Sequence, residues 1–295
     1  MVTVIIPTCK GENVVPEAVE SVLNQTYGDL EVIVVDDNGR GTEHQLATER
    51  NLAPYLKDGR LKYIVHAVNK NGSAARNTGI KNASGEYIGF LDDDDIYLRD
   101  KIEKQVALFN SLDDTYGLVY GSFREIIDEK RSRVVKARHS EHFLFDFLCD
   151  RIIACSSTAL IRREVLSAVA EWDESFQRHQ DLEFFARVAY RYKAAFIEDI
   201  CVEKRKLDRS TPRGETYERY HMHYVNKMEP IVSGFSQAQK RKFYNHHYFE
   251  IGKAYIKDGN IPGALYWARR SSNPCGMIVH YFIAAGAFLV RKVIR

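Results

Sequence analysis

Short, nearly continuous apolar runs alternate with segments of helical spacing over the N-terminal third of the chain. The runs are rich in Val and Ile and too short for helices, which favours buried β-strands. Between them, apolar residues recur every three or four positions, which is typical of helices that pack one face on a core. The pattern predicts strands at residues 2–6, 31–35, 61–65 and 87–91 and helices at residues 14–24, 42–52 and 72–82.

The apolar runs also indicate how the strands pair. A strand that is apolar at nearly every position is buried on both faces, as in a parallel sheet covered by helices. Right-handed crossovers would join such strands into a Rossmann-like, mostly parallel α/β domain. Two further strands are predicted near residues 118–123 and 156–161, and from residue 215 the pattern is helical. We therefore expect an α/β domain over residues 1–212 and a helical C-terminal region over residues 213–295.

Three of the predicted strands end in polar residues, namely Thr8, the Asp36-Asp37 pair, and four aspartates at residues 92–95. Ligands of a doubly wound sheet collect beyond the carboxyl ends of its strands. Four adjacent carboxylates repel one another unless a cation or hydrogen-bond donors offset their charge. Hard divalent cations take oxygen ligands, often together with substrate phosphates. The acidic run alone fits either a metal–diphosphate site or a solvated turn, and the three polar strand ends favour the site.

Composition narrows the class of protein. The chain has 295 residues and a formal net charge of +2, so charge gives no general case for nucleic-acid binding. The five cysteines show no paired spacing, which favours reduced thiols in the cytoplasm over a disulfide framework or a zinc site. Met1 leads directly into the first predicted strand, without the apolar segment of a secretory signal. We expect a cytoplasmic protein.

The C-terminal segment 277–290 is apolar apart from His280, and three basic residues follow it. About fourteen residues are too few to span a bilayer, which needs roughly twenty. An interfacial helix attracted to anionic lipids fits the basic flank, and would place the protein peripherally at the inner face of the cell membrane. A buried terminal helix or a contact in a homo-oligomer fits equally well. The histidines of this region, among them His221 and His247, show no ligand spacing and are expected at the surface or an interface.

Five segments of the chain resemble motifs of glycosyltransferase family 2. In chain order they are VIIPT from Val4, SVLNQTY from Ser21, EVIVVDDNG from Glu31, NGSAARNTGI from Asn71 and GEYIGFLDDDD from Gly85. The resemblance is dense over about the first 100 residues and thinner to residue 212. The family consists of inverting nucleotide-sugar transferases with the GT-A fold. The resemblance therefore implies this fold, with a nucleotide-binding half at residues 1–98 and an acceptor half at residues 99–212.

The first candidate residues concern the nucleotide. Thr8 and Asp37 follow neighbouring strands, where they can hydrogen-bond a base edge and a ribose. In the family the second acidic residue of such a pair contacts the base, which favours Asp37 over Asp36. Arg76 is expected to pair with phosphate or with one of the aspartates. The alternative is a surface arginine in a helix that Ser73 caps.

The aspartate run matches the D-x-D element of the family. The resemblance makes Asp94 the predicted metal ligand and Asp92 a second ligand or a contact to ribose or water. Asp93 is a further candidate for the nucleotide, because four aspartates in a row leave the register ambiguous by one residue. The implied metal is Mn²⁺ or Mg²⁺, which would bridge the two phosphates and stabilise the nucleoside diphosphate as it leaves.

An inverting transferase also needs a general base for the acceptor hydroxyl. Asp181 lies where the family places its catalytic carboxylate, and Glu183 is the competing candidate. The alternative for Asp181 is a cap on a helix that begins at residue 182.

The segment 172–176 resembles the border of the acceptor site, although Trp172 would equally suit the core. Arg205, Arg209 and Ser210 lie in a polar stretch, 203–214, that is either a mobile lid or a plain surface loop.

These features predict a metal-dependent inverting glycosyltransferase. The expected donor is a nucleotide sugar, with UDP favoured, and the expected acceptor is a glycan or lipid-linked saccharide of surface polysaccharide synthesis. A sugar nucleotidyltransferase would carry a Gly-rich basic loop after its first strand, whereas PTCKGE follows here. A non-catalytic nucleotide-sugar-binding or assembly module is the remaining alternative, and Asp92, Asp94 and Asp181 argue against it.

Overall fold

The computed structural model describes residues 1–205 and 213–281. The chain divides into two compact units, Met1–Asp208 and Arg209–Arg295. Arg209 and Ser210 of the polar stretch 203–214 lie outside the described residues, as do residues 282–290 of the apolar segment.

The first unit is an α/β unit. Its strands are β1 (Val2–Thr8), β2 (Leu30–Asp36), β3 (Leu61–Val65), β4 (Tyr87–Phe90), β5 (Asp95–Tyr97), β6 (Tyr116–Asp128), β7 (Arg131–Val135), β8 (Leu160–Arg162) and β9 (Lys193–Arg205). Its helices are α1 (Val15–Leu23), α2 (Glu43–Leu52), α3 (Gly72–Asn82), α4 (Lys101–Asn110), α5 (Phe143–Leu148), α6 (Val165–Val169) and α7 (Gln180–Arg191), with a 3₁₀ turn at Ser156–Thr158.

The described strands form one sheet in the order β3-β2-β1-β4-β8-β6-β9-β5, with β7 paired to β6. The four strands predicted from the apolar runs are present and run parallel. Beyond β4 the sheet is mixed, because β8 is antiparallel to β4 and β6 whereas β9 is parallel to β6. Beyond β4 the sheet therefore combines short antiparallel pairings with one further parallel pair, β6 and β9.

Helices cover both faces of the parallel part. Alternate residues of a strand point to opposite faces. Val32 and Val34 of β2 belong to the same buried cluster as the apolar face of α1, whereas Ile33 and Val35 pack with Ala75 of α3. Burial on both faces explains why β2 reads as an unbroken apolar run, and it fixes α3 beside the carboxyl ends of β1 and β2.

Parallel pairing brings the predicted polar strand ends to one edge of the sheet. Thr8 is the register partner of Asp36, and Ile5 of β1 is the partner of Phe90, two residues before Asp92. Because β1, β2 and β4 are neighbours and point the same way, the residues that follow them lie side by side.

The sequence interpretation missed three strands, β5, β7 and β9. Lys193–Arg205 is a 13-residue strand, and Asp95 begins the short strand β5 that pairs with it. Arg205 therefore lies at the end of a strand rather than in a loop. The strand predicted at residues 156–161 is instead a 3₁₀ turn followed by β8. These strands are held by their neighbours in the sheet, and their own sequences carry little alternation.

The second unit is helical in its described part. It contains α8 (Gly214–Val232), α9 (Gln237–Lys257) and α10 (Ile261–Arg270). Met277 and Tyr281, at the start of the predicted apolar segment, are buried in one cluster with Ile251 and Trp267. Among the described helices none is both long and apolar enough to cross a membrane.

We expected the histidines of this region at the surface or at an interface, and two of them are buried instead. His221 of α8 and His247 of α9 are buried, and their rings share a hydrogen bond of 2.8 Å between Nε2 and Nδ1. The ring of Phe243 packs edge-on against His247 with the centroids 4.3 Å apart. The shared hydrogen bond gives each imidazole a polar partner within an aromatic cluster, so polarity alone did not indicate where they lie.

Candidate active site

The four aspartates after β4 occupy two kinds of environment. Asp93 and Asp95 are buried, whereas Asp92 and Asp94 remain partly exposed. Asp93 accepts a hydrogen bond of 2.7 Å from the Thr8 hydroxyl, and Asp95 accepts one from Ser157. The alternation separates the D-x-D pair Asp92 and Asp94 from two carboxylates that brace the turn. Tertiary packing thus distinguishes residues that the sequence presents as equivalent.

Arg76 lies at the centre of this site. Its Nη2 donates to Asp92 Oδ1 at 2.8 Å, and its Nη1 donates to Gln180 Oε1 at 3.0 Å. The guanidinium also stacks over the Trp172 ring, 4.6 Å from the centroid. Arg76 is buried, and its Nε is a buried donor without a protein partner. The predicted pairing of Arg76 with an aspartate is therefore observed, and one guanidinium connects three separate segments of the chain.

Lys204 is a site residue that the sequence interpretation missed. It lies on β9, and its ammonium is 3.5 Å from Asp92 Oδ2 and closer still to Asp95. Val202 and Lys204 are two apart on this strand, so the lysine points to the same face as a buried apolar residue. That spacing was the available signal, but it has meaning only once residues 193–205 are known to be a strand.

Asp181 lies in the first turn of α7, immediately after Gln180. Burial raises the pKa of its carboxyl above the ordinary range, and the charge of Asp92 adds to this, while Arg76 and Lys204 act in the opposite sense. Asp181 does not cap the helix, because α7 begins at Gln180 with His179 as its N-cap residue. A carboxylate with a raised pKa beside the acidic turn is suited to accept a proton.

The competing carboxylate has a different environment. Glu183 is 1% exposed and accepts hydrogen bonds from Arg187 Nε at 2.6 Å and from Nη2 at 2.8 Å. Arg187 in turn donates to the backbone carbonyl of Glu171 at 2.9 Å. Glu183 therefore holds the end of α6 against α7 through Arg187, which favours Asp181 as the base.

Asp37 is held by donors of the protein itself. Its Oδ1 accepts from His66 Nδ1 at 2.7 Å and from the Lys70 backbone N–H at 2.9 Å, and its Oδ2 accepts from the Asn71 N–H at 2.8 Å. These three donors occupy most of the acceptor positions of the carboxylate, which is 2% exposed. Asp36 accepts from the Tyr63 hydroxyl at 2.6 Å, as a structural residue does.

The loop before α3 shows how this helix is fixed. Asn71 has φ of 119° and caps α3 by accepting from the Ala74 N–H at 3.1 Å, so the alternative in which Ser73 caps this helix is wrong. Ser73 is instead buried within the first turn, and its hydroxyl has no protein partner. Asn77 of the same helix exchanges two 2.9 Å hydrogen bonds with the backbone of Trp172. The segment 172–176 is thereby attached to the helix that carries Arg76, and Trp172 is buried as a core residue would be.

The side chains fit a hard divalent cation that is shared with a ligand. Within residues 1–205 and 213–281, no group of three or more His, Cys, Asp or Glu side chains could hold a metal ion alone. Mg²⁺ is usually held by one or two carboxylates and completed by substrate phosphates. The partly exposed pair Asp92 and Asp94 offers that donor set at the carboxyl edge of the sheet.

Comparison with known families identifies the class of protein. The sequence profile of glycosyl transferase family 2 matches residues 3–169, more than half of the chain. The chain therefore belongs to glycosyl transferase family 2.

Curated relatives have matching names. An uncharacterized glycosyltransferase of Rickettsia felis is 33% identical over 213 residues, which are 70% of this chain and 34% of that protein. The amylovoran biosynthesis glycosyltransferase AmsB of Erwinia amylovora is 24% identical over 280 residues, 90% of this chain and 89% of AmsB. The Escherichia coli UDP-Glc:alpha-D-GlcNAc-diphosphoundecaprenol beta-1,3-glucosyltransferase WfgD is 34% identical over 128 residues, 43% of this chain and 47% of WfgD. The chain thus spans about a third of the first relative's length and under half of WfgD.

Solved structures share the fold. S. aureus TarS 1-349 in complex with UDP-GlcNAc superposes with a TM-score of 0.59 at 14% identity, covering 89% of both chains. The mannosyltransferase PcManGT from Pyrobaculum calidifontis, in complex with GDP-Man and Mn²⁺, gives a TM-score of 0.59 at 20% identity, covering 97% of this chain and 86% of that one. The predicted GT-A fold, family and glycosyltransferase class are confirmed, whereas the roles of individual residues stay predictions.

Proposed function

We propose that this chain transfers a sugar from a nucleotide sugar to a hydroxyl group of a glycan or lipid-linked saccharide, with inversion at the anomeric carbon. The observation that carries the proposal is the arrangement around Arg76, which bonds Asp92 on one side and Gln180, next to Asp181, on the other. A candidate metal ligand and a candidate base are thereby held by one side chain. A binding module would need no such connection.

Each side chain has a task in this reaction. A divalent cation, when bound, would neutralise charge on the leaving nucleoside diphosphate, and Asp94 with Asp92 would hold it. Asp181 accepts the proton of the acceptor hydroxyl as that oxygen attacks the anomeric carbon, and the bond to the diphosphate breaks. Arg76 keeps Asp92 and α7 in place. Thr8 braces the turn through Asp93, and Asp37 orders the loop before α3 and is proposed to contact the base.

The donor and the setting rest on similarity. TarS was solved with UDP-GlcNAc and PcManGT with GDP-Man and Mn²⁺, which supports a nucleotide sugar and a divalent metal. UDP remains the favoured nucleotide. The names of AmsB and WfgD support polysaccharide synthesis and a lipid-linked acceptor. We infer that the enzyme works on the cytoplasmic side, peripherally at the membrane, with residues 1–212 as the catalytic domain and residues 213–295 for membrane or subunit contact.

A binding experiment tests the donor site. Thermal stability of the wild type, Asp94→Ala and the control Asp114→Ala is measured with UDP, GDP and dTDP, each with and without Mn²⁺. Asp114 is exposed on a loop before β6. We expect one nucleotide to stabilise the wild type and the control only with metal, and Asp94→Ala to lose that response. The proposal fails if no nucleotide binds the wild type under either condition.

A further inference from the structure

Lys204 is held in place by the strand pairing at the edge of the sheet. It is the register partner of Asp95 where β9 runs antiparallel to β5. Its ammonium forms an ion pair with the Asp95 carboxylate, which also accepts from the Ser157 hydroxyl. Ser157 Oγ accepts in turn from the Asp92 backbone N–H at 3.2 Å. Lys204 therefore helps to hold the acidic turn in place through Asp95.

The two carboxylates around Lys204 differ in how firmly they hold it. Asp95 is 1% exposed and close to the ammonium, whereas the Asp92 side chain is 30% exposed and 3.5 Å away. The Lys204 side chain itself is 25% exposed. A buried pair is costly to break, while a looser, half-exposed pair exchanges partners readily. The ammonium is thus held firmly by Asp95, whereas its contact with Asp92 can be exchanged for another partner.

The charges around the turn explain why such a cation is needed. Asp181 raises the number of carboxylates near the turn to five, and Arg76 and Lys204 are the described cations paired with Asp92. A nucleoside diphosphate is itself an anion and would be repelled by this surplus of carboxylates. One divalent cation reduces the surplus without removing it, so a fixed protein cation at the same place favours binding.

We propose that Lys204 is a cation of the donor site that exchanges Asp92 for a diphosphate oxygen of the nucleotide sugar. The ammonium would leave Asp92 if that carboxylate held a metal ion, because the two cations would repel each other. Asp95 keeps it in place, and an ammonium has three N–H donors, so one can reach the diphosphate. Lys204 is then a binding residue for the diphosphate, and this inference rests on the proposed function.

The exchange predicts two opposite effects of removing the charge. Lys204→Met removes one of the two cations paired with Asp92 and leaves Arg76 as the other, so Mn²⁺ alone should bind more tightly. The same change removes a charge-assisted hydrogen bond to the diphosphate, so the affinity for UDP at saturating Mn²⁺ should fall about tenfold or more. A purely structural lysine would instead weaken both ligands together as the turn loosens.

Isothermal titration of the full chain tests this, with Mn²⁺ alone and then with UDP at saturating Mn²⁺. Lys104→Met is the matched control, because Lys104 also bridges two carboxylates, Asp100 and Asp199, at the surface. We expect the control to match the wild type and Lys204→Arg to retain UDP binding within about threefold, since the charge remains. Unchanged UDP affinity in Lys204→Met, or a joint loss of both affinities, overturns the inference.

A second variant covers the case in which Lys204→Met does not fold. The double variant Asp95→Asn with Lys204→Met removes both charges of the buried pair, which is better tolerated than removing one. It should show the same tighter Mn²⁺ and weaker UDP binding, and a wild-type UDP affinity overturns the inference. If GDP and dTDP as well as UDP fail to bind the wild type, the proposed function and this inference both fall. If the wild type binds and the lysine variants bind equally well, only this inference falls.

Discussion

Gln180, the residue before Asp181, accepts a hydrogen bond of 3.0 Å from Arg76. The same guanidinium donates to Asp92 at 2.8 Å. The start of α7 and the acidic turn after β4 are distant in the sequence, and this arginine joins them. The positions of the candidate base and the candidate metal ligand therefore depend on one planar group.

Replacing Arg76 by lysine should disturb the relative positions of Asp92 and Asp181. A lysine ammonium lacks the fork geometry that serves Gln180 and Asp92 together. We expect Arg76→Lys to lower kcat about tenfold or more, because misplacement of about 1 Å can cost 10²-fold. Steady-state kinetics measure the effect, with Arg60→Lys as control, since Arg60 pairs with Asp58 on a loop before β3. Equal losses in both variants would contradict a special role for Arg76.

The pH dependence of activity should report Asp181. A base must be ionised, and burial raises the pKa of this carboxyl. The value of kcat/KM should therefore fall as pH decreases through a midpoint above the ordinary Asp value of about 3.9. A profile that stays flat down to that value would contradict the assignment.

Protonation of Asp181 does not itself destabilise the folded state as pH falls. Between the ordinary and the raised pKa, the folded state holds the Asp181 proton that the unfolded state has released. The contribution of this group to stability is therefore greatest at low pH and decreases as pH rises through that window. Chemical denaturation of the wild type and Asp181→Asn over a pH series separates loss of activity from loss of stability. If the free energy of unfolding of the wild type, relative to Asp181→Asn, increased as pH rises, the raised pKa of Asp181 would be contradicted.

Glu183→Gln should affect stability rather than catalysis. The substitution leaves Arg187 without its charged partner, and since that arginine is 22% exposed the expected cost is about 2 kcal/mol. The melting temperature should fall, while kcat per folded molecule stays within about twofold of wild type. A loss of kcat with unchanged melting temperature would show that Glu183, and not Asp181, is the base.

Gly11→Ala should disturb the nucleotide side of the site. A Cβ at Gly11 would overlap the Asp93 carboxylate and lie 2.6 Å from Thr8 Oγ1, so the hydrogen bond between those residues cannot persist. We expect UDP affinity to fall about tenfold through loss of this brace. Gly28→Ala is the control, because nothing lies within 4 Å of its added Cβ. Equal affinities in the two variants would exclude a role for the Thr8–Asp93 contact.

The parallel half of the fold was predictable because its signals are local. Strand β2 is buried on both faces, so each of its residues from Val32 to Val35 had to be apolar. Asp92 and Thr8 could be placed together because parallel neighbours end at the same edge. In contrast, β9 includes Glu198 and Asp199 in its middle and is a strand because β6 pairs with it. No local pattern could indicate that pairing.

The site divides in the same way. The D-x-D run was visible in the sequence, but its register was not, since burial of Asp93 and Asp95 depends on Thr8, Ser157 and Lys204. The family resemblance indicated Asp181, whereas Gln180 and Lys204 act through contacts with residues more than 100 positions away. Spacing along the chain can indicate such residues only after the element that carries them is known.

The most direct test of the account is release of free nucleoside diphosphate from a panel of UDP-, GDP- and dTDP-sugars with Mn²⁺. Wild type and Asp181→Asn are compared at matched, saturating donor, and pyrophosphate is measured in parallel. We expect the wild type to release one nucleoside diphosphate. Asp181→Asn should bind the same donor, with a turnover rate reduced about 10²-fold or more. Release of pyrophosphate, or donor binding without any turnover in the wild type on adding candidate acceptors, would contradict the assignment as a glycosyltransferase with Asp181 as its base.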